Sequence, residues 1–307
     1  MFLRYIVSRL LQTALVILGV VTISFFITNL VPADPARLIA GRLATAETVE
    51  NIRSQLGLDR PLVEQYWRYL QRLFQGDLGR SYQQRTEVKT LLLSRLPATL
   101  QLSLGAIVFE LLIGIPLGIL AALEFGKFWD KAIMVLAFIG VSAPQFALGL
   151  ILLYLFAYLW NMFPLGGYGS IHHLILPALT LGISGAGWYA RMMRSSLLDV
   201  MNADYVRTGV AKGLGRSKVI FKHALRNAVL PVIAMIGLDI GLLMGGVVVV
   251  ESVFAWPGIG QLAWQAIQIV DIPIIMGTVL LTAGFIVLGN LLADLLYPLA
   301  DPRLRYG

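Results

Sequence analysis

The sequence contains no cysteine, and only 13% of its 307 residues are charged. The missing cysteine excludes disulfide bonds, thiolate nucleophiles and zinc or iron–sulfur sites with cysteine ligands. Soluble domains carry about 25% charged residues, whereas 58% of this chain is hydrophobic. Water is therefore not its main solvent, and the arrangement of the apolar residues decides the fold.

Motifs of several enzyme classes are also missing. A nucleotide-binding phosphate loop ends in Gly-Lys followed by Ser or Thr, but Gly126-Lys127 is followed by Phe128. HExxH and Gly-x-Ser-x-Gly motifs are absent as well. An intramembrane enzyme is thus a weak alternative, and no residue is predicted to be catalytic. The adjacent His172 and His173 lack the further ligands that a metal site needs, so we predict an ordinary loop pair and no metal.

Six apolar runs are long enough to cross a membrane, which takes about 20 residues as a helix. They cover residues 10–30, 97–123, 132–160, 174–193, 228–253 and 273–299. The first run exceeds the roughly 7–15 residues of a signal-peptide core, so we predict a retained first helix. The sequence thus predicts an all-α membrane protein with six transmembrane helices.

Lysine and arginine indicate the orientation of these helices, because they are enriched in short cytoplasmic loops. The short loops 161–173 and 254–272 contain no lysine or arginine. The loops on the other side of the membrane and the two ends of the chain contain fourteen of the 24 lysine and arginine residues. The other ten lie between the first two spans, in a segment too long for the rule to apply. We therefore predict that both termini are cytoplasmic. Topology also explains the net charge of +7 without nucleic acid.

We predict a division into a first transmembrane helix (1–31), an extracytoplasmic segment (32–96) and a core of five further helices (97–307). In the outer segment, Thr45 can cap a helix that Gly57 ends. Pro61 can open a second, amphipathic helix that Gly76 closes, with an apolar stripe of Leu62, Tyr66, Leu70, Leu73 and Phe74. One interpretation is that both helices pack on each other and on the outer membrane face, and the other is a docking surface for an external partner.

The inner loop 191–227 is long, basic and rich in helix signals. Asn202 and Asp204 can start a short helix, Gly213 and Gly215 interrupt it, and Ser217 can cap a second helix. Two spans need only a few residues to join them, so a loop of this size indicates a partner. Attraction to anionic lipid would explain its charge but not its order of helix, glycine and helix.

The loop resembles that of a known family. Its motifs are Asp204-Tyr205-Val206-Arg207-Thr208, Ala211-Lys212-Gly213-Leu214 and His223-Ala224-Leu225-Arg226-Asn227-Ala228. Further motifs are Pro32-Ala33-Asp34-Pro35-Ala36, Gly114-Ile115-Pro116-Leu117-Gly118 and Glu251-Ser252-Val253-Phe254-Ala255-Trp256-Pro257-Gly258. Together they resemble permeases of the dipeptide/oligopeptide/nickel ABC importer family along essentially the whole chain. The long first outer loop resembles that of the first permease of a pair.

This resemblance implies a permease of the bacterial inner membrane that imports solute delivered by an extracytoplasmic binding protein. The other implied partners are a second homologous permease, two ATPase subunits and membrane lipid. ATP and Mg²⁺ would bind the ATPases, leaving this chain without a cofactor. Peptides are the expected solute, with glutathione or nickel chelates as alternatives, and one sequence does not decide whether the permease pair is a hetero- or homodimer. An ATP-independent channel or secondary transporter is the rival class, but those lack such an inner loop.

In the family, the inner loop contains a coupling helix that docks into a groove of the ATPase. The matching positions here are Asp204, Tyr205, Arg207, Thr208, Ala211, Lys212, Gly213, Leu214 and His223. The sequence departs from relatives at Gly209-Val210, where they usually carry Ala-Arg. It departs again at Asp239, where many carry Gln.

Three residues are candidates for the translocation path. Ionisable groups at membrane depth are costly and usually face a wet cavity, which selects Asp239 and Glu110. For Asp239 a structural hydrogen bond to a neighbouring helix is the alternative. Gln145 follows Pro144, whose kink would turn it toward the path. Glu251, near the outer end of span five, resembles a residue close to the outer gate.

Small residues recur along span five, at Gly237, Gly241, Gly245 and Gly246. Such a face lets another helix approach closely. We predict that it meets the second permease, with packing inside this chain as the alternative.

Overall fold

The computed structural model describes residues 2–30, 34–41, 43–245 and 247–300, which excludes Pro32, Ala33 and Gly246 of the motifs above. The described residues form helices and loops, with one isolated β-bridge between Arg80 and Glu87. The all-α prediction is confirmed. The helices are α1 (Phe2–Leu30), α2 (Pro35–Ala40), α3 (Ala46–Leu56), α4 (Leu62–Phe74), α5 (Val88–Leu123), α6 (Phe128–Ser142), α7 (Gln145–Leu152), α8 (Ile171–Met201), α9 (Asp204–Ala211), α10 (Arg216–Lys218), α11 (Leu225–Ala228), α12 (Leu230–Met244), α13 (Val248–Val253), α14 (Ile259–Gln268) and α15 (Ile272–Ala300).

Three of these helices are long and apolar enough to cross a membrane, namely α1, α5 and α15. Two bent pairs raise the number to five if each pair is one span. The remaining predicted span, at residues 174–193, corresponds to α8, which is long but less apolar. Many of its residues are buried inside the protein, where a helix needs less apolar surface than against lipid. Six spans remain a prediction.

Both bent pairs break next to proline. Between α6 and α7 the axis turns by 103° at Ala143 and Pro144, far more than the kink that the sequence predicts. Residues 219–228 and 230–244 meet at 43°, just before Pro231. Proline removes a backbone donor and disfavours helical geometry in the residue before it.

Two predictions about where helices begin and end need correction. Ser217 lies within α10, which already begins at Arg216, so Ser217 does not cap that helix. From there the chain continues through a π-helical stretch, Val219–Ala224, into α11. Predicted span five is also interrupted, because α12 ends at Met244 and α13 starts at Val248. A second π-helical stretch, Leu153–Leu159, follows α7.

The contacts between residues divide the chain into two compact units. The division into a first helix, an outer segment and a five-helix core stays a prediction. Unit 1 comprises Met1–Thr99 and Pro257–Gly284. Its core joins Val88 and Leu92 of α5 to Leu262 of α14 and Ile274 of α15. Thr45 caps α3 and Gly57 ends it in the left-handed conformation, as predicted.

A buried carboxylate fixes the outer segment within unit 1. Asp271 is fully buried between α14 and α15. Its Oδ2 accepts hydrogen bonds from the Ser81 hydroxyl at 2.5 Å and from the Gln83 backbone N–H at 3.2 Å. Ser81 Oγ in turn accepts from the Gln84 N–H at 2.9 Å. One side chain thereby holds the turn that precedes α5.

Unit 2 comprises Leu100–Trp256 and Phe285–Gly307, and glycines set its helix spacing. A Cβ at Gly114 of α5 would lie 2.6 Å from the Tyr189 Cβ of α8, and one at Gly118 would lie 2.6 Å from the Ala190 carbonyl oxygen. Gly182 of α8 is in similarly tight contact with Phe109. These helices approach more closely than side chains would allow.

Two glycines of span five, Gly237 and Gly241, are buried inside the chain. A Cβ on Gly289 of α15 would lie 2.5 Å from the Gly241 Cα, and Gly241 also contacts the Ile286 backbone. Gly237 is buried in the same helix. The predicted contact with a second permease is therefore wrong for Gly241, and the alternative holds, because Gly289 supplies a matching small residue.

The Asp271 anchor predicts that Asp271→Ala destabilises the protein. The change removes the acceptor of the Gln83 N–H and leaves the buried Ser81 hydroxyl without its acceptor, which costs about 1–3 kcal/mol for a buried group. Thermal unfolding of the purified protein measures this. Asp59→Ala, which alters an exposed carboxylate, is the control and should leave the Tm unchanged. Equal Tm values for the two variants would contradict the role of Asp271.

Candidate functional site

The inner loop forms a folded platform rather than a flexible connection. Val206 of α9 is buried, and so are Val219 and Ala224 of the π-helical stretch. They pack in one cluster with Tyr189 and Met193 of α8. The loop is thus part of the core of unit 2, and a force on α9 acts directly on α8.

A left-handed residue separates the two halves of this platform. The backbone N–H of Lys212 closes α9 on the Thr208 carbonyl, and Gly213 follows with φ of 78°. Its neighbour Leu214 then turns back against the buried cluster, where its N–H donates to the Gly209 carbonyl. A side chain at Gly213 would be strained at this φ even though no atom occupies the space.

The predicted coupling residues divide into an exposed set and an inward set. The half-buried residues are Leu214 and His223. Thr208 Oγ1 donates to the Asp204 carbonyl, and the Tyr205 hydroxyl accepts from Asn227 Nδ2 at 2.7 Å. The exposed set is Asp204, Tyr205, Arg207, Thr208, Ala211, Lys212 and Gly213.

The exposed face also contains two apolar residues that sequence reasoning did not select. Val210 is 60% exposed and Phe221 is 61% exposed. With Tyr205, they are exposed apolar side chains of a basic loop. The sequence draws attention to Val210 only because relatives usually carry arginine there, and it offers no signal for Phe221.

Two of the three path candidates meet in unit 2. Glu110 of α5 is 4% exposed, and its carboxyl lies in hydrogen-bonding contact with that of Asp239 on α12. The hydroxyl of Tyr189, a fully buried residue of α8, donates to Asp239 Oδ2. Three helices therefore contribute to one polar cluster, and sequence reasoning missed only Tyr189.

This cluster has more acceptors than donors. Glu110 Oε2 is buried and has no hydrogen-bond donor among the described residues. The space for its carboxyl exists because residue 185 is glycine, and a Cβ there would overlap the carboxyl. Unmatched buried acceptors favour binding of a group that donates, such as an ammonium.

The other two candidates lie elsewhere in unit 2. Gln145 begins α7 after the 103° break and is half-buried, and no described hydrogen bond joins it to the acidic cluster. Glu251 is fully buried in α13, which packs on α7. Its carbonyl accepts from the Trp256 N–H at 2.8 Å.

An ion pair that the sequence did not suggest ties α6 to α8. Arg194 donates to both carboxylate oxygens of Asp130, at 2.5 and 2.8 Å, and the Gly126 N–H donates to Asp130 Oδ2 at 2.9 Å. The sequence uses Arg194 only as one of the basic residues that indicate orientation. Its partner Asp130 is buried, with 3% of its surface exposed.

A helical membrane protein with a folded basic inner loop and a polar cluster between its helices has the features of a transport permease. Comparison with known proteins agrees. A family model described as "Binding-protein-dependent transport system inner membrane component" matches residues 114–306, and the model of the corresponding N-terminal part matches residues 2–103. The chain belongs to this family of binding-protein-dependent ABC importer permeases.

Relatives match over almost their full length. The chain is 43% identical to the glutathione transport system permease protein GsiC of Salmonella paratyphi A, and 41% identical to that of Escherichia coli K12, in each case over 99% of both chains. A solved structure of the MetNI methionine ABC transporter in an inward-facing conformation has a similar fold. Its TM-score is 0.57 at 20% identity, covering 69% of this chain and 96% of that one.

The acidic cluster predicts a specific effect of Gly185→Ala. The added methyl group would displace the Glu110 carboxyl, and overpacking of this kind costs about 1–3 kcal/mol. Gly284→Ala is the matched control, because nothing lies within 4 Å of its Cβ position and helical Ala is favoured over Gly. We expect a lower Tm for the first variant and an equal or higher Tm for the second. A Gly185→Ala protein as stable as the control would contradict this geometry.

Proposed function

We propose that this permease forms half of a translocation path for peptides and couples it to ATP hydrolysis by partner subunits. Two ATPases bind ATP and Mg²⁺, a second homologous permease completes the path, and an extracytoplasmic binding protein delivers the solute. Six spans with both termini in the cytoplasm of a bacterial cell place the inner loop beside the ATPases. The observation that carries this proposal is the inner loop, folded into unit 2 on one side and exposed on the other.

The exposed side of the loop suits a protein partner. Tyr205, Val210 and Phe221 supply aromatic and aliphatic contacts, and Arg207 and Lys212 supply charge around them. Protein interfaces commonly have such an apolar centre with a polar rim. The apolar Val210 fills the place of the arginine that relatives carry, so this loop relies more on packing at that position.

The buried side of the loop suits transmission of force. Val206 of α9 and Val232 of α12 share a cluster with Leu197 of α8, so the loop, α8 and α12 are packed in one block. Dense packing transmits displacement instead of absorbing it. When the ATPases close on α9, this block tilts as one body and switches the path between outward- and inward-facing states.

Within that block, the acidic cluster is a candidate contact for solute. Peptides, glutathione included, carry an ammonium group, and the Glu110 and Asp239 carboxyls have unmatched acceptor capacity for one. Gln145 is a further path candidate and Glu251 an outer gate candidate. A structural role of the Asp239 bond to Tyr189 remains the alternative, because hydrogen bonds commonly join neighbouring spans.

The coupling role predicts the effect of charge reversal on α9. Arg207→Glu combined with Lys212→Glu places negative charge on the docking face, and we expect at least a tenfold loss of solute-stimulated ATP hydrolysis. The assay uses the reconstituted complex with binding protein and solute. Lys127→Glu reverses an exposed lysine at the start of α6 and should leave the rate within twofold, since exposed ion pairs such as Lys127 with Glu124 are weak.

Unchanged stimulation in the double variant would overturn the coupling role of α9. Assembly is checked by co-purification of the ATPases. If the variant keeps them bound yet is no longer stimulated, coupling rather than docking has failed, which also supports the proposal. Uptake that continues without ATP would instead support the channel or secondary-transporter class.

The solute contact predicts a selective effect of Asp239→Asn. This change keeps the hydrogen bond from Tyr189 and removes the negative charge, so we expect the KM for a dipeptide or glutathione to rise about tenfold, the size of one charge-assisted contact. Solutes whose amino group is acetylated should show no such rise. Uptake into proteoliposomes with the matching binding protein measures both. An equal effect on both classes of solute would favour the structural alternative.

A further inference from the structure

Helix α4 of the outer segment has two different apolar surfaces. One surface is turned toward α1 and includes Tyr66, Tyr69 and the buried Leu70. The other includes Val63, Trp67 and Phe74, which are 76%, 61% and 86% exposed. The sequence-based stripe placed Phe74 with the first surface, but the structure leaves it on the second. An unpartnered surface of three large apolar side chains on one helix needs a cover.

The position of α4 along α1 indicates what that cover is. The Tyr66 hydroxyl lies 2.6 Å from Thr22 Oγ1, and the Phe25 ring lies 5.2 Å from the Tyr66 ring and 5.8 Å from that of Tyr69. Thr22 and Phe25 belong to the apolar stretch Leu11–Thr28 that is long enough to cross a membrane. At about 1.5 Å per residue, Thr22 lies about 9 Å inside the end of that stretch. The side of α4 that faces α1 is therefore at the depth of the membrane.

Exposed apolar side chains also lie on α1 next to the side of α4 that faces it. The Phe26 ring lies 5.8 Å from Tyr66 and is 41% exposed, and its neighbours Ile23 and Ile27 are exposed as well. Only 11% of the residues in the apolar stretch Leu11–Thr28 are buried by the described parts of the chain, so most of the surface of this candidate span is uncovered. Tyr66 and Tyr69 of α4 lie beside that surface.

The opposite face of α4 is polar. Gln65, Arg68 and Arg72 of this face are among the residues that line a cavity of about 1930 Å³ in unit 1. Arg68 forms an ion pair with Glu64 on the same face. A helix with one face toward water and the other toward an apolar medium is typical of a helix lying in a membrane interface.

We propose that α4 lies in the outer leaflet of the membrane, with Val63, Trp67 and Phe74 inserted among the lipid chains beside Phe26. Tryptophan favours this boundary because its ring is apolar and its N–H reaches the headgroups. Because α4 lines the 1930 Å³ cavity, this placement puts one wall of the cavity at the bilayer surface. This inference relies on the proposed outer location of residues 32–96.

The absence of native cysteine makes this inference directly testable, because a single introduced cysteine is the only thiol of this chain when the partner subunits are used as cysteine-free variants. A nitroxide label is attached to Trp67→Cys, and the matched control is Arg72→Cys, an exposed position on the polar face of the same helix. The full complex is reconstituted in nanodiscs of three parts phosphatidylethanolamine to one part phosphatidylglycerol. Power saturation then measures collisions with oxygen, which concentrates in lipid, and with a water-soluble nickel chelate.

We expect the label at position 67 to collide several-fold more with oxygen than with nickel, and the label at position 72 to show the reverse. A nickel signal at position 67 equal to that at position 72 would show that the surface is in water and overturn the proposal. Low collision rates with both reagents would show a protein cover, such as the second permease, and would overturn it equally. Phe74→Cys provides a second label at the same surface if Trp67→Cys does not assemble.

Failure of this inference is separable from failure of the proposed function. A membrane-impermeant maleimide applied to intact cells should label Arg72→Cys if residues 32–96 are extracytoplasmic. Loss of that labelling would refute the topology. Labelling together with solute-stimulated ATP hydrolysis, but with a water-exposed position 67, would refute only the placement of α4 in lipid.

Discussion

The close approach of α5 and α8 is the contact on which unit 2 depends. Gly114 and Gly118 of α5 lie against the backbone of α8, and Gly182 and Gly185 of α8 receive side chains of α5 in return. In a lipid environment, burial of apolar surface gives little preference for protein neighbours over lipid, so shape has to hold helices together. Reciprocal small residues provide that shape, and they also determine where the few polar side chains meet.

The acidic cluster follows from this packing. Glu110 occupies the space that Gly185 leaves, and Tyr189, one turn later on α8, reaches Asp239 of α12. The same stretch of α8 continues into the cluster that holds Val206 and Val219 of the inner loop. The acidic cluster and the inner-loop platform are therefore parts of one packed block, so neither is displaced without the other.

Patterns that act over a short range could be predicted from the sequence. Apolar runs, the Thr45 cap, the Gly57 end and the helical inner loop depend on neighbours within a few residues, and the structure has them. The pairing of Glu110 with Asp239 was not predicted, although both residues were, because sequence spacing says nothing about which helices touch. Gly241 was assigned to the wrong neighbour for the same reason, since only the fold brings Gly289 opposite it. The ion pair of Asp130 and Arg194 spans 64 positions and has no local signature.

The division of the inner loop into two faces has an evolutionary consequence. Val206 and Val219 maintain the fold from within, while Tyr205, Val210 and Phe221 face outward and make few demands on it. Substitutions on the outer face leave the packed block intact, and those on the inner face disturb it. Under the proposed coupling role, the surface offered to a partner can therefore change at a few positions while the packed block behind it stays the same.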